Sequence, residues 1–452
     1  MSLLLRIAPL VLAPLLAACG DASDERPSVV LVVGDTLRAD KLTCLGGPEG
    51  LTPYIDRIAA SGARFDQARA HAPWTLPSVA SLLTSLHPRE HGAGGRLTGF
   101  TKLADDVRTV VASFQEQGYS THAIVNVLFL DPDLFGVTRE FDTVDEVAPR
   151  SNVEMRSAAE TTRAALDWLD ENADDGPFLL LVHYFDPHCV YAPPRVFRER
   201  WAEEADRASD WTFGTRPQML AIRRGELTPE PRTIQRAQAL YDGEVSYLDA
   251  EIGRLDDGLA VRGLVDDTVF VLTGDHGEEF LDHAGFEHGH TLYDELVHVP
   301  LIVRAPGRVD PTVVSSPVRH IDVAPTLLEL CGLPPDPQFV GRSLVPLARG
   351  EAEPPRATLA HGNMWALPRT SWTAEGWKLI VRDGAAPELY HVAEDPRERT
   401  NLAEAQPERL ASMRAELEAV ESRMQALQRG EAADLDAQAR DVLGGLGYGS
   451  GK

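Results

Sequence analysis

The sequence predicts an α/β protein: a doubly wound, mostly parallel sheet followed by a small C-terminal α+β subdomain. Three observations carry this. Ser28–Val33, Phe178–Val182 and Thr268–Leu272 are continuous apolar runs, the pattern of strands buried on both faces. Helical periodicities alternate with these runs, as in a series of βαβ units. After Gly350, and across Pro354 and Pro355, the texture changes to short strands and one long amphipathic helix.

Taken in order, the chain begins with Arg6 and an apolar run to Ala18 that is too short and too proline-broken to span a bilayer. It suits a signal peptide over residues 1–18. Leu16-Ala-Ala-Cys19 resembles a bacterial lipoprotein cleavage box. That resemblance implies acylation of Cys19, a membrane anchor, and a place in the bacterial cell envelope facing the periplasm. No Asp directly follows Cys19, so the outer membrane is favoured over the inner. Residues 19–27 read as a tether, 28–350 as the main domain and 351–452 as the C-terminal subdomain.

The first strand ends at Gly34-Asp35. Thr52-Pro53 opens a helix closed by Gly62, and Asp105–Gln117 reads as another, closed by Gly118. Ser120–Val125 is the next strand. Phe178–Val182 leads into His183-Tyr-Phe-Asp-Pro-His188. Residues from about 195 to 235 are charged and read as an irregular surface excursion. Val245, Leu248, Ile252 and Leu255 give a helical stripe over 241–259, and Val299–Val303 a fifth strand. Trp377–Val381 and Glu388–His391 read as short antiparallel strands. The spacing of Leu410, Met413, Leu417 and Val420 predicts a helix over 408–428 packed on its domain.

The chain has 452 residues and a formal net charge of -26, which argues against nucleic acid as a partner. After Cys19 only Cys44, Cys189 and Cys331 remain, enough for at most one disulfide.

Doubly wound sheets hold ligands at the carboxyl ends of their strands. Asp35, Asp186/His188 and Asp275/His276 all follow strands directly. Adjacent carboxylate and imidazole groups at a strand end are candidate metal ligands, with Asp35 a third. The segment Ala72-Pro-Trp-Thr75-Leu-Pro-Ser passes from loop to helix. Thr75 is therefore either a helix N-cap or a nucleophile held where free N–H groups attract an oxyanion. A divalent cation beside it lowers the pKa of its hydroxyl. His188 is a candidate acid for a leaving oxygen. His276, His283, His288 and His290 lie within sixteen residues, a density that points to a metal or anion site; for His283, unlike His288 and His290, a solvated polar loop is the favoured reading.

Val33-Gly-Asp-Thr-Leu-Arg-Ala-Asp40, Ala72-Pro-Trp-Thr-Leu-Pro-Ser78, Ser81-Leu-Leu-Thr-Ser85, His183-Tyr-Phe-Asp-Pro-His188, Thr273-Gly-Asp-His-Gly277 and His290-Thr-Leu-Tyr-Asp-Glu295 together resemble the sulfatase family of the alkaline phosphatase superfamily. Gly376-Trp-Lys-Leu-Ile380, Glu388-Leu-Tyr-His391 and Asn401-Leu-Ala403 resemble its C-terminal subdomain. The resemblance implies an alkaline-phosphatase-like fold, with Asp35, Thr75, Asp275 and His276 on a metal and Thr75 as nucleophile. It implies a second metal-side position at Thr36 and contact between His188 and the transferred group. His288 or His290 falls near a family lysine that binds the anion, and Asn126 near a family anion-binding position.

The departures decide the chemistry. The usual sulfatase carries Cys or Ser followed by x-Pro-x-Arg and oxidises that first residue to formylglycine; this chain has Thr75-Leu-Pro-Ser-Val79. Oxidised threonine is a ketone, so that route is closed. Threonine here resembles branches of the superfamily that form a phospho-threonine. His276, where calcium sites often have Asn, favours Zn or Mn, with Ca or Mg as alternatives. Three readings follow: a metal-dependent hydrolase or transferase of phosphate mono- or diesters; a sulfuric ester hydrolase with a non-formylglycine nucleophile; or a non-catalytic binding lipoprotein. The substrate expected of either enzyme is a small anionic ester, a lipid headgroup or a glycan ester.

Overall fold

Strands that are apolar on both faces need cover on both faces, and the central sheet of this computed structural model receives it. The structure describes residues 26–96, 99–146, 155–203, 206, 211–362, 364–365, 368–424 and 431–445. The signal segment, Cys19 and nearly all of the tether lie outside them, as do helix positions 425–428 and the tail from 446.

Eight strands form the sheet: β1 (Ser28–Gly34), β2 (Ala63–Phe65), β3 (Ser120–Val125), β4 (Thr143–Glu146), β5 (Phe178–Tyr184), β6 (Thr268–Gly274), β7 (Leu301–Arg304) and β8 (Thr312–Val314). Their spatial order is β8-β2-β7-β6-β1-β5-β3-β4. Neighbours from β6 through β4 are parallel, whereas β7 runs antiparallel to both β6 and β2. The fifth predicted strand is therefore real but reversed, and it starts at Leu301.

Among the described residues the helices are α1 (Pro53–Ala60), α2 (Thr75–Thr84), α3 (Val110–Gln115), α4 (Ala158–Asn172), α5 (Arg195–Trp201), α6 (Arg216–Arg223), α7 (Pro231–Val261), α8 (Val323–Leu330), α9 (Pro407–Arg423) and α10 (Ala437–Gly445), together with shorter turns. Side chains alternate across a strand, so β1 feeds two cores. Val29, Leu31 and Val33 pack with α2, α3 and α8. Val30 and Val32 pack with α1, α4 and α7.

Two helical expectations are corrected. The helix expected from Asp105 begins only at Val110, because Thr109 caps it by accepting from the Val111 N–H. Arg139 holds the preceding stretch non-helical through the carbonyls of Leu103, Ala104 and Val107. The excursion over 195–235 is not irregular throughout: it contains α5, α6 and the start of α7. Thr215 and Gln218 form a capping box around Pro217, a signal present in the sequence.

Beyond residue 350 lies a four-stranded antiparallel sheet, β9 (Thr358–His361), β10 (Arg369–Ala374), β11 (Trp377–Arg382) and β12 (Glu388–Tyr390), covered by Met413 and Leu417 of α9. Lys378 of β11 is fully buried and lies 2.9 Å from both Asp294 and Glu398, and Asp294 also pairs with Arg69 at 2.7 Å. This buried charge network joins the small sheet to the main domain, through Arg69 and Asp294. Removing one partner of a buried pair leaves an uncompensated charge. Lys378→Met is therefore expected to cost about 3–5 kcal/mol of stability, read by urea unfolding. A loss below about 1 kcal/mol, the scale of an exposed pair, would overturn that account.

Candidate active site

The register of the sheet assembles the site. Gly34 of β1 lies beside Tyr184 of β5 and Gly274 of β6. The next residues of each strand therefore emerge along one edge. The Asp35 N–H donates to the Tyr184 carbonyl (2.9 Å) and the Thr36 N–H to Asp275 Oδ1 (3.1 Å). Thr36 holds a φ of 58°, costly for a β-branched residue. Tyr241 of α7 fixes it there by donating to the Thr36 carbonyl at 2.6 Å.

Asp35, His183 and Asp275 each bring one ligand atom within 4.8 Å of the others, and all three are buried. His276 Nε2 lies 3.6 Å from Asp35 Oδ1 and 3.3 Å from Asp275 Oδ2, and His183 Nε2 is 3.6 Å from Asp35 Oδ2. Both Asp35 oxygens, Asp275 Oδ2 and both His183 nitrogens have no hydrogen-bond partner among the described residues. Burial pushes the Asp35 carboxyl well above the usual carboxylate range, and the charges of Asp275 and Glu278 add to that; burial likewise raises Asp275. Burial holds His183 down to about 3. Buried carboxylate oxygens without donors, beside the His183 imidazole that burial keeps neutral, are a donor set that fits a divalent cation.

Thr75 completes the group. Its Oγ1 is 3.4 Å from His276 Nε2, and the residue is 2% exposed. It is the first residue of α2, and Trp74 takes the N-cap position, so the reading of Thr75 as an N-cap is corrected. Pro77 occupies the first turn, where its lack of an N–H leaves no helical bond broken. Ser78 Oγ donates to the Asp275 carbonyl at 2.5 Å and so ties the start of α2 to the Asp275–His276 turn. Val79, where the family has arginine, is buried in the core on the α2 side of the sheet.

The remaining predicted residues divide. His188 and His288 pack edge to face with ring centres 4.9 Å apart, and the His288 ring centre lies 4.6 Å from that of His276. His188 Nδ1 donates to the Cys189 carbonyl at 2.6 Å. The backbone docks His288 here: the Gly289 N–H donates to the Pro73 carbonyl at 2.9 Å. Gly289 has a φ of 77°, and a Cβ there would meet Trp365 Nε1 at 2.9 Å. His290 Nε2 instead pairs with Glu279 at 2.7 Å, and His283 with Glu295 at 2.6 Å. Asn126 Nδ2 donates to the His183 carbonyl and to Thr161, which buttresses β5 behind the acids. Asp186 is not with Asp35 and Asp275; it meets Glu244, and burial raises both carboxyls. Cys44, Cys189 and Cys331 are all free thiols.

Two residues were missed in the sequence. His183 reads as the tail of an apolar strand; the available signal was a histidine one residue before the register position that aligns Gly34 and Gly274. Glu278 hides in Gly277-Glu-Glu-Phe280, and nothing local separates it from a surface acid.

The sulfatase family model matches residues 27–333, and the model for the C-terminal part of N-sulphoglucosamine sulphohydrolase matches residues 282–426. An uncharacterized sulfatase, YidJ, of Escherichia coli is 25% identical over 84% of this chain and 83% of its own. An N-acetylglucosamine-6-O-sulfatase of Bacteroides thetaiotaomicron is 26% identical over 86% and 85%. The crystal structure of a phosphonate monoester hydrolase of Agrobacterium radiobacter shares the fold, with a TM-score of 0.72, 20% identity, and 88% and 96% coverage. With the family model spanning about two thirds of its length, the chain belongs to the sulfatase family and is an ester hydrolase of the alkaline phosphatase superfamily.

Proposed function

We propose that the protein is a metal-dependent hydrolase, or transferase, of phosphate mono- or diesters that uses Thr75 as its nucleophile. The observation that carries this is the 3.4 Å approach of Thr75 Oγ1 to His276 Nε2 beside Asp35 and Asp275, in a chain with neither Cys nor Ser at that position to convert to formylglycine. Asp35, His183, Asp275 and His276 would hold the cation. Two imidazoles among four donors favour Zn or Mn over Ca or Mg. When bound, the cation lowers the pKa of the neighbouring hydroxyl and offsets charge on the transferred group.

The chain's own residues do the rest. The start of α2 holds Thr75 in one buried position, so its oxygen meets the ester without a search. His188 gives its Nδ1–H to the Cys189 carbonyl, so it serves the departing oxygen as donor only in its doubly protonated form. Asn126 sets the end of β5 by bracing the His183 carbonyl. The substrate is a small anionic ester, from a lipid headgroup or a glycan. Acylation of Cys19 would hold the enzyme on the envelope membrane, beside such esters. The second reading, a sulfuric ester hydrolase, draws on the sulfatase names of the curated relatives.

The test is a panel of aryl phosphate, diaryl phosphate, phosphonate monoester and aryl sulfate, offered with Zn, Mn, Mg or Ca. Phosphorus esters are expected to exceed the aryl sulfate in kcat/KM by at least about 100-fold, the scale of one good transition-state contact. A preference for the sulfate would replace this reading with the second.

A further inference from the structure

We propose that Asp186 and Glu244 hold one proton between them, and that this acid–carboxylate bond positions the turn that carries His188. Its effect on turnover rests on the reading of Thr75 as nucleophile; the shared proton does not.

The turn leaves the sheet at the end of β5, beyond His183, and the His188 N–H donates to the Phe185 carbonyl within it at 2.9 Å. Glu244 of α7 holds both ends. At one end its Oε1 accepts the Ala192 N–H at 2.7 Å. At the other its carboxyl bonds that of Asp186, which also takes the N–H of Ala158 at the start of α4. His188 lies between these two anchors. The next residues press on the same helix: a Cβ on Gly243 of α7 would meet Pro193 Cγ at 2.8 Å.

Two carboxylates cannot make this bond, because an ionised carboxyl only accepts. Glu244 is 5% exposed. Asp186 Oδ2 is buried without a hydrogen-bond partner among the described residues, an orphan that a proton on Glu244 can satisfy. Among those residues no lysine, arginine or histidine pairs with either carboxyl. Around the pair stand Tyr247, Glu251 and Arg254 of α7 and Tyr184 of β5, and the further charge acting on Asp186 is Glu251, another acid. Burial raises both carboxyls, and the Asp186 charge raises Glu244 further, so the pair keeps a proton that solvated acids would lose. When that proton leaves at alkaline pH, two buried like charges repel and the turn loses an anchor. Asp186 and Glu244 touch no reacting atom; they are positioning residues that act through the turn.

The experiment compares wild type, Glu244→Gln and Glu244→Ala as the metal-loaded full chain. Glutamine keeps an acceptor for Ala192 and gives Asp186 a donor that no pH removes. Infrared difference spectra at neutral pH are expected to show a protonated carboxyl in wild type that Glu244→Gln lacks. The native state keeps a proton that the unfolded chain has released. Wild-type stability relative to Glu244→Gln is therefore expected to fall as pH rises above the ordinary glutamate value of 4.5. On 4-nitrophenyl phosphate, Glu244→Gln is expected to match wild-type kcat below neutral pH and to move the alkaline limb up by about one pH unit or more. Glu244→Ala is expected to lose kcat by roughly 10²-fold, the scale of a displaced group, with KM changing less. Amides of residues 185–192 are expected to exchange faster in Glu244→Ala and to keep their protection in Glu244→Gln. If Glu244→Ala does not fold, Glu244→Gln decides alone. An unchanged carboxyl band, a Glu244→Gln pH profile that superimposes on wild type, or Glu244→Ala turnover within about twofold of wild type would overturn the proposal. If no form turns over any phosphate ester, the reading of Thr75 has failed, and the carboxyl band and the amide exchange still decide the pair.

Discussion

Thr75→Ala is expected to lower kcat by roughly 10⁴-fold or more, the scale of losing a nucleophile. The oxygen sits at 3.4 Å from His276 Nε2 and is buried at the first position of α2. Ser78 Oγ is spent on the Asp275 carbonyl; Thr36 Oγ1, next to Asp35 and buried without a hydrogen-bond partner among the described residues, is the other hydroxyl at this edge. Thr75→Ser keeps the oxygen and loses only the methyl group that limits its rotamers. It is expected to retain activity within about tenfold, with KM moving less than kcat. Steady-state kinetics on an aryl phosphate separate the cases. Equal loss in both variants would mean that shape, not the hydroxyl, is what the site needs.

The second large effect is that of the cation. Asp35→Asn and Asp275→Asn are each expected to abolish tight binding of Zn or Mn, and turnover with it. The same substitutions should stabilise the metal-free protein, because they remove buried carboxylate oxygens that have no donor, both of Asp35 and Oδ2 of Asp275. The sign of the pH dependence follows. Asp35 and Asp275 have native pKa values raised above the usual 3.8. The native state then holds protons that the unfolded chain has already lost. Stability of the metal-free protein is therefore expected to fall as pH rises above about 4 toward the raised native values. A bound cation should flatten that slope and add about 2.7 kcal/mol at a hundredfold excess over its Kd. Melting curves across pH, with chelator or with added metal, read both effects. Wild-type stability that ignores metal would remove the cation from this account.

Much of the site was legible because parallel sheets deliver residues to one edge. Asp35, Asp275 and His276 follow apolar strands directly, and the start of α2 announces itself by Pro77 and the loop before it. The excursion was not legible from charge alone, since α5 and α6 bury little of their own surface. The reversed β7 was not legible either: four apolar residues fit a parallel or an antiparallel neighbour equally well.

What the amino-acid order determined by itself is the sheet, the strand ends and the list of groups able to do chemistry. The periods of 2 and 3.6 and the strand-terminal acids are local properties that survive without a partner. Only the tertiary structure decided which groups meet. His183 joined Asp35 because β1 and β5 are in register, His288 stood apart from His290 because Gly289 is bonded to Pro73, and Glu278 found His288 across a turn. Such choices rest on distances between segments far apart in the chain, and the burial that gives these groups their chemistry exists only once those segments have packed.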